Sequence, residues 1–321
     1  MIRLLLSVAV IFVSLALGYW YRQKKAPESM GSLMALRDRL QFLAFFCCIP
    51  ISSMLSLWGM PQPDARLLLF PLLGISAWLL GGVTALVLAR LLRFSRTQTG
   101  SLFCCGTFSN IGAVGTLVCV VFFGEQSIAY VALYRFCEEM IYYGAAFPFA
   151  ARYTEDTTKT PTVQGFRISN LVLCVLAALL LGIVLNKTGV PRPDGMRYVA
   201  SFLSIVASVL ALFSIGLGLK LSKIATYTKA CLSIVLIKFC VVPLAIGTLA
   251  YALGFGSFEN ALPLAIAVVL SSMPVAMNAL IPPALLLLDL DLANACWIAS
   301  TLALLVVLPI LKLGILPLIV P

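Results

Sequence analysis

Histidine is absent from this 321-residue sequence, and charged residues make up only 11% of it. The missing imidazole removes the side chain that most often binds metals and shuttles protons near neutral pH. The ten cysteines show no CxxC spacing and all fall within apolar segments. This pattern favours buried small side chains over a metal site or a disulfide framework. We therefore expect no metal and no cofactor.

Signatures of an intramembrane enzyme are also missing. The sequence has no HExxH and no GxGD run, and Ser109 has no evident base. Catalysis in a membrane would need a nucleophile with its base, a carboxylate pair or a metal set. We expect that the protein is not an enzyme.

Apolar residues dominate what is present: 62% of the chain is hydrophobic and the mean hydropathy is +1.08. A soluble domain would be nearer half apolar, so the composition indicates an integral membrane protein. Spans of about 20 apolar residues cross a bilayer as helices. We predict ten such spans, at residues 2–20, 41–59, 67–89, 101–123, 127–150, 168–186, 198–221, 230–254, 261–283 and 292–316.

The basic residues indicate the orientation of these spans. When alternate loops are assigned to two sides, most of the loop lysines and arginines fall on one side, which the positive-inside rule makes cytoplasmic. Both termini are then outside the cytoplasmic (plasma or inner) membrane. The net charge of +10 is dispersed over short loops. Its pattern does not favour nucleic-acid binding.

The loop at 151–167 divides the chain into halves, 1–150 and 168–321, with five spans each. Shifting the first half along the chain lays its spans on those of the second. Because five is odd, the second half enters the membrane from the opposite side. The predicted fold is therefore an all-α 5+5 inverted repeat.

Two spans at matching places in the halves are interrupted. The first, "CCGTFSNIGAVGTLVC" (104–119), supplies the candidate residues Ser109, Asn110, Gly112 and Gly115; the second, "VLSSMPVAMNALIPPALLL" (269–287), supplies Ser272, Pro274 and Asn278. Small and polar residues also join helices to one another, which is the structural alternative. A matched pair of broken helices instead indicates a transporter's midplane site, where helix ends face anions or cations.

These stretches resemble the auxin efflux carrier family. "SNIGAVGTLVCVVFFGEQSIAYVALY" is similar to its fourth and fifth helices and "SSMPVAMNALI" to its ninth; "SIGLGLKL" and "LIKFCVVPLAIG" are similar to its seventh and eighth. The resemblance covers about the whole chain. It implies the fold of the bile acid and sodium symporters, with helices 1, 2, 6 and 7 as a scaffold and helices 3–5 and 8–10 as a mobile transport domain. It also implies export of organic anions such as auxin or dicarboxylates, and a homodimer through the scaffold.

In this family helices 4 and 9 cross at their broken centres. The resemblance puts Asn110 and Pro274 at the crossover and Asn278 one turn beyond it. Family members usually place a proline shortly after the second glycine, where this chain has Thr116. We therefore expect Gly112 and Gly115 to open helix 4.

Charged residues inside the spans are candidates for ion coupling. "ALYRFCEEMIYYG" places Glu139 about 18 Å into a core of about 30 Å, and Arg135 lies three and four residues before Glu138 and Glu139. One excess carboxylate could carry a proton; the alternative is a structural ion pair. Lys238 could balance that carboxylate, attract an anion, or extend its amine to the headgroups. Asp289, after the ninth span, is expected as a solvated charge of an outer loop.

The sequence thus predicts a secondary carrier for a small organic anion, with elevator-like motion. Protons are the preferred coupling ion because of the glutamate pair. The alternative is a sodium-coupled symporter, in which backbone carbonyls and polar side chains would bind sodium; these side chains are Ser109, Asn110, Ser271, Ser272 and Asn278. A non-transporting receptor or assembly protein would not need matched broken helices. Under each of these alternatives the protein is surrounded by membrane lipid.

Overall fold

The computed structural model describes residues 2–25, 30–60, 65–155, 170–219, 224–257 and 259–319. These residues are almost entirely helical or in short turns. In chain order the helices are α1 (Ile2–Gln23), α2 (Gly31–Trp58), α3 (Arg66–Leu91), α4 (Arg96–Thr107), α5 (Ile111–Phe123), α6 (Ser127–Tyr134), α7 (138–150), α8 (Asn170–Lys187), α9 (Met196–Gly218), α10 (Ala225–Ala252), α11 (Leu262–Ser271), α12 (277–285) and α13 (Leu290–Ile319).

Six of these helices are long and apolar enough to span a membrane: α1, α2, α3, α9, α10 and α13. They indicate a multi-pass membrane protein. Three further predicted spans, 101–123, 127–150 and 261–283, are each divided into two shorter helices. The first residues of the span at 168–186 and most of the loop at 151–167 lie outside the described residues. The ten-span inverted repeat therefore stays a prediction.

The surface of the long helices is what a lipid environment requires. On α9 the small residues Ala200, Ser204 and Ala207 are buried, while the large side chains of Tyr198 and Phe202 are exposed. Without a hydrophobic force between helices in lipid, small residues allow the backbones to approach closely and large apolar ones face the lipid tails. This burial pattern is the reverse of the one in a soluble bundle.

Wide π-helical turns interrupt several helices, and proline accounts for most of them. Proline has no N–H to donate to the carbonyl four residues earlier, so the helix widens there. Four π turns end two residues before a proline. They are Leu43–Cys48, Tyr142–Ala146, Ile237–Val241 and Ile310–Ile315, before Pro50, Pro148, Pro243 and Pro317.

The chain forms two compact units. The first unit consists of Met1–Leu67, Ile111–Leu133 and Ile168–Leu219, and the second of Leu68–Asn110, Tyr134–Arg167 and Lys220–Pro321. The chain thus passes from the second unit to the first between Asn110 and Ile111, and returns between Leu133 and Tyr134. The assignment of whole helices to a scaffold and a transport domain stays a prediction.

Close helix contacts hold the first unit together. A Cβ added at Gly18 of α1 would collide with the carbonyl oxygen of Phe213 on α9, so only glycine permits this approach. At one end of the unit, the Arg192 guanidinium donates to Glu125 Oε1 at 2.7 Å and to the Leu55 carbonyl at 2.8 Å. This ion pair links two loops to the end of α2.

In the second unit, α3 and α4 are in contact through glycine. A Cβ on Gly81 would collide with the carbonyl oxygen of Gly106. Close approach here leaves the last turn of α4 no room to shift. The consequence is a fixed position for the carbonyl of Gly106, which belongs to the site described below.

Candidate functional site

The two interrupted stretches are broken helices in the structure. α4 ends at Thr107, residues Phe108–Asn110 are extended, and α5 begins at Ile111. α11 ends at Ser271, and a helical turn resumes only at Met277. Phe108 has φ −93° and ψ 132°, and Ala276 has φ −74° and ψ 150°, both extended.

The first break lies before the glycines rather than at them. Gly112 and Gly115 are buried inside the helical turn Ile111–Gly115. The sequence predicted that these two glycines open the helix. In the structure they do not, because they lie within the turn. They also belong to the first unit, whereas Ser109 and Asn110 belong to the second.

The two extended segments pair with each other in antiparallel fashion. The backbone N–H of Asn110 donates to the carbonyl of Pro274 at 2.7 Å, and the N–H of Ala276 donates to the carbonyl of Phe108 at 3.2 Å. Ser109 and Val275 stand opposite one another between these two bonds. In an apolar setting unpaired backbone groups are costly, and this pairing satisfies four of them.

Ser300 of α13 satisfies a further backbone group in the break. The N–H of Val275 lies in a position of the pairing that makes no bond to the opposite segment, and it donates to Ser300 Oγ at 3.1 Å. Ser300 is fully buried. Sequence reasoning missed this residue; its only signal is a Ser–Thr pair inside the apolar run of the tenth span.

Lys238 reaches the end of α4 from α10. Its side chain is only 1% exposed, and Nζ donates to the Gly106 carbonyl at 2.7 Å and to Ser109 Oγ at 3.0 Å. In a continuous helix the N–H of Asn110 would occupy the Gly106 carbonyl, but that N–H is bonded to Pro274. The break therefore frees an acceptor and Lys238 takes it. The alternative in which this lysine extends to the headgroups is wrong.

The charged group on the fifth span forms a local pair. Arg135 Nε lies 2.6 Å from Glu138 Oε2, and Glu138 is buried. Glu139 is half-buried, and the helix is interrupted by a turn at 135–137. Lys238 makes no salt bridge with either glutamate among the described residues, so it does not balance the spare carboxylate there.

The other predicted residues of the second break are less well placed. The hydroxyls of Ser271 and Ser272 donate back to the Val268 carbonyl, at 3.0 and 2.8 Å. The Asn278 side chain is exposed, and its backbone carbonyl accepts from Tyr142 Oη at 2.9 Å. The structure thus brings together Ser109, Asn110, Pro274 and Lys238, and leaves Asn278 at the edge.

Asp289 is not the solvated outer-loop charge that we expected. It caps α13 by accepting from the Leu292 N–H at 2.9 Å, and it also accepts from Tyr227 Oη at 3.2 Å and Gln98 Nε2 at 3.3 Å. Gln98 lies in the first turn of α4 and Tyr227 in the first turn of α10, next to loops that carry many of the basic residues. The loop after the ninth span therefore lies on their side.

In the described part of the chain, no group of three or more thiols and carboxylates is arranged so that it could hold a metal ion. The cysteines described there are free, and most are buried. Cys105 of α4 contacts the Ala293 carbonyl at 3.7 Å. Packing accounts for these side chains.

No protein-family model matches this sequence, and a search of curated proteins finds no match either. The relation to the auxin efflux carrier family stays a prediction that rests on short motifs. What the geometry itself describes is a buried polar centre, built from two paired helix breaks and one lysine, within a multi-pass membrane protein.

Proposed function

We propose that the protein is a secondary carrier that moves a small organic anion across the cytoplasmic membrane, as the auxin efflux carrier family does. The observation that carries this proposal is the pairing of Phe108–Asn110 with Pro274–Ala276 inside apolar helices. Broken helices at this depth are tolerated where they line a cavity or a binding site. A purely structural protein would have no need of two.

The chemistry of the centre favours an anion as the substrate. Lys238 supplies a positive charge beside Ser109, and Asn110 supplies an amide next to the break. Buried positive charge and amide donors together are suited to a carboxylate. The paired segments Phe108–Asn110 and Pro274–Ala276 contain no acidic side chain that would repel an anionic substrate.

Transport by an elevator-like movement is the mechanism that we propose. The division of the chain into two compact units supports this, as does the passage of the chain between units right after Asn110. A ligand held at Asn110 would then be carried with the second unit. Crossing of the fourth and ninth predicted helices at the paired segments belongs to the same proposal.

The test is uptake of labelled malonate, malate and indole-3-acetate into proteoliposomes under an imposed pH gradient or an imposed sodium gradient. We expect uptake of at least one carboxylate, and its loss in Asn110→Ala. Ser101→Ala is the matched control, because Ser101 is buried on α4 and its hydroxyl has no hydrogen-bond partner among the described residues. Normal uptake and affinity in correctly inserted Asn110→Ala would contradict the assignment of the site.

Proton coupling is assigned to the Arg135, Glu138 and Glu139 group. Glu138 is paired with Arg135, which leaves Glu139 as the carboxylate to carry the proton. Glu139→Gln should remove the response of uptake to a pH gradient while substrate exchange persists. If Glu138→Gln and Glu139→Gln both retain the full response, the group has only a structural role.

A further inference from the structure

The ammonium group of Lys238 contacts oxygen atoms of the kind that coordinate a small cation. The Gly106 carbonyl is released by the helix break, and Ser109 adds a hydroxyl oxygen; both contact Nζ. In carriers with broken helices, carbonyls at the C-terminal ends of half-helices coordinate the coupling sodium ion. Here the ammonium group is already in contact with two such oxygens.

The charge of the helix ends gives an independent reason for a cation. α4 and α11 both end at the paired segments. The C-terminal end of α4 carries about half a negative charge, and its Gly106 carbonyl contacts Lys238 Nζ. A single buried ammonium more than offsets this half charge without any ion from solution, and the excess is the positive charge that favours an anionic substrate.

The backbone of α10 is widened where Lys238 lies. Lys238 lies in the π turn Ile237–Val241, which precedes Pro243. Such turns rotate the following side chains relative to a regular helix and often occur at functional positions. Lys229, nine positions nearer to the helix start on a regular stretch, is exposed instead.

We propose that the Lys238 ammonium is a tethered cation, which fills the place that a sodium ion takes in sodium-coupled carriers with broken helices. The wild-type protein then needs no sodium to complete the polar centre. Removal of the amine leaves the Gly106 carbonyl and Ser109 hydroxyl free for a hydrated sodium ion. The consequence for transport rests on the proposed function, whereas the consequence for ion binding does not.

The first experiment measures thermal unfolding of the purified full chain in detergent, with sodium chloride titrated against choline chloride at constant ionic strength. The wild type should show the same unfolding temperature in both salts. Lys238→Ala should be less stable in choline, and sodium should raise its unfolding temperature saturably by at least about 2 °C. Lys229→Ala, from the same helix, is the control and should behave as the wild type.

Removing a second ligand tests the location of the ion. Ser109→Ala combined with Lys238→Ala should weaken the sodium response, while Ser101→Ala combined with Lys238→Ala should not. Saturable stabilisation of the wild type by sodium would overturn the proposal, and so would a Lys238→Ala protein that responds equally to both salts. Lys238→Ser is tested in parallel under the same criterion, in case Lys238→Ala does not fold. The serine hydroxyl allows water to fill the space that the amine leaves.

Transport distinguishes a failure of this inference from a failure of the proposed function. Wild-type uptake should be equal in sodium and choline, and uptake by Lys238→Ala should require sodium. If no variant transports any of the carboxylates, the proposed function fails, and the unfolding measurements still decide whether Lys238 replaces a sodium ion.

Discussion

Replacing Ser300 with alanine should destabilise the protein through a single backbone group. The Val275 N–H donates to Ser300 Oγ at 3.1 Å, and both residues are fully buried. Alanine removes the acceptor but hardly changes the volume. A buried N–H left unpaired costs about 1–3 kcal/mol. We expect the free energy of unfolding to fall by that amount.

Equilibrium unfolding in mixed micelles of a denaturing and a mild detergent measures this loss. The matched control is Thr301→Val, because Thr301 is also buried on α13 but its hydroxyl only donates back to the Trp297 carbonyl, at 2.8 Å. That change should cost less than about 1 kcal/mol. Equal losses in the two variants, or no loss in Ser300→Ala, would refute the assignment of Ser300 as the partner of the break.

Two further changes test contacts that hold each unit together. Gly81→Ala places a Cβ against the Gly106 carbonyl, so overpacking should lower the free energy of unfolding by about 1–3 kcal/mol. Displacement of that carbonyl should also lower transport. Unfolding and uptake are both measured. Arg192→Ala removes a guanidinium that binds Glu125 and the Leu55 carbonyl, so the free energy of unfolding should fall by about 1–3 kcal/mol, as measured by thermal or detergent unfolding.

Each of these changes has a control in the same unit. A Cβ on Gly144 meets no atom within 4 Å, so Gly144→Ala should leave stability and uptake unchanged. Arg197 contacts only the neighbouring Tyr198 hydroxyl in the described hydrogen bonds and is exposed, so Arg197→Ala should have little effect. Losses in the controls as large as in Gly81→Ala and Arg192→Ala would mean that these contacts have no special role.

Local composition alone indicated the class of this protein and the two apolar stretches in which its helices break. Long apolar runs indicate membrane helices, because a helix satisfies its backbone groups within the segment in lipid. Clusters of Ser, Asn and Pro inside such runs indicate the breaks at 108–110 and 272–276. These residue types weaken a helix locally, so each break lies within a few residues of its cluster. The exact position of the first break differs from the expectation, because Gly112 and Gly115 are compatible with a helix.

Only the tertiary structure decided which groups complete the centre. Lys238 and the Gly106 carbonyl are 132 positions apart in the chain, and no local pattern relates them. The same is true of Ser300, which looks like any small residue on an apolar helix until Val275 is placed beside it. A backbone group freed by a broken helix must find a partner somewhere in the fold, and that partner is chosen by packing in three dimensions.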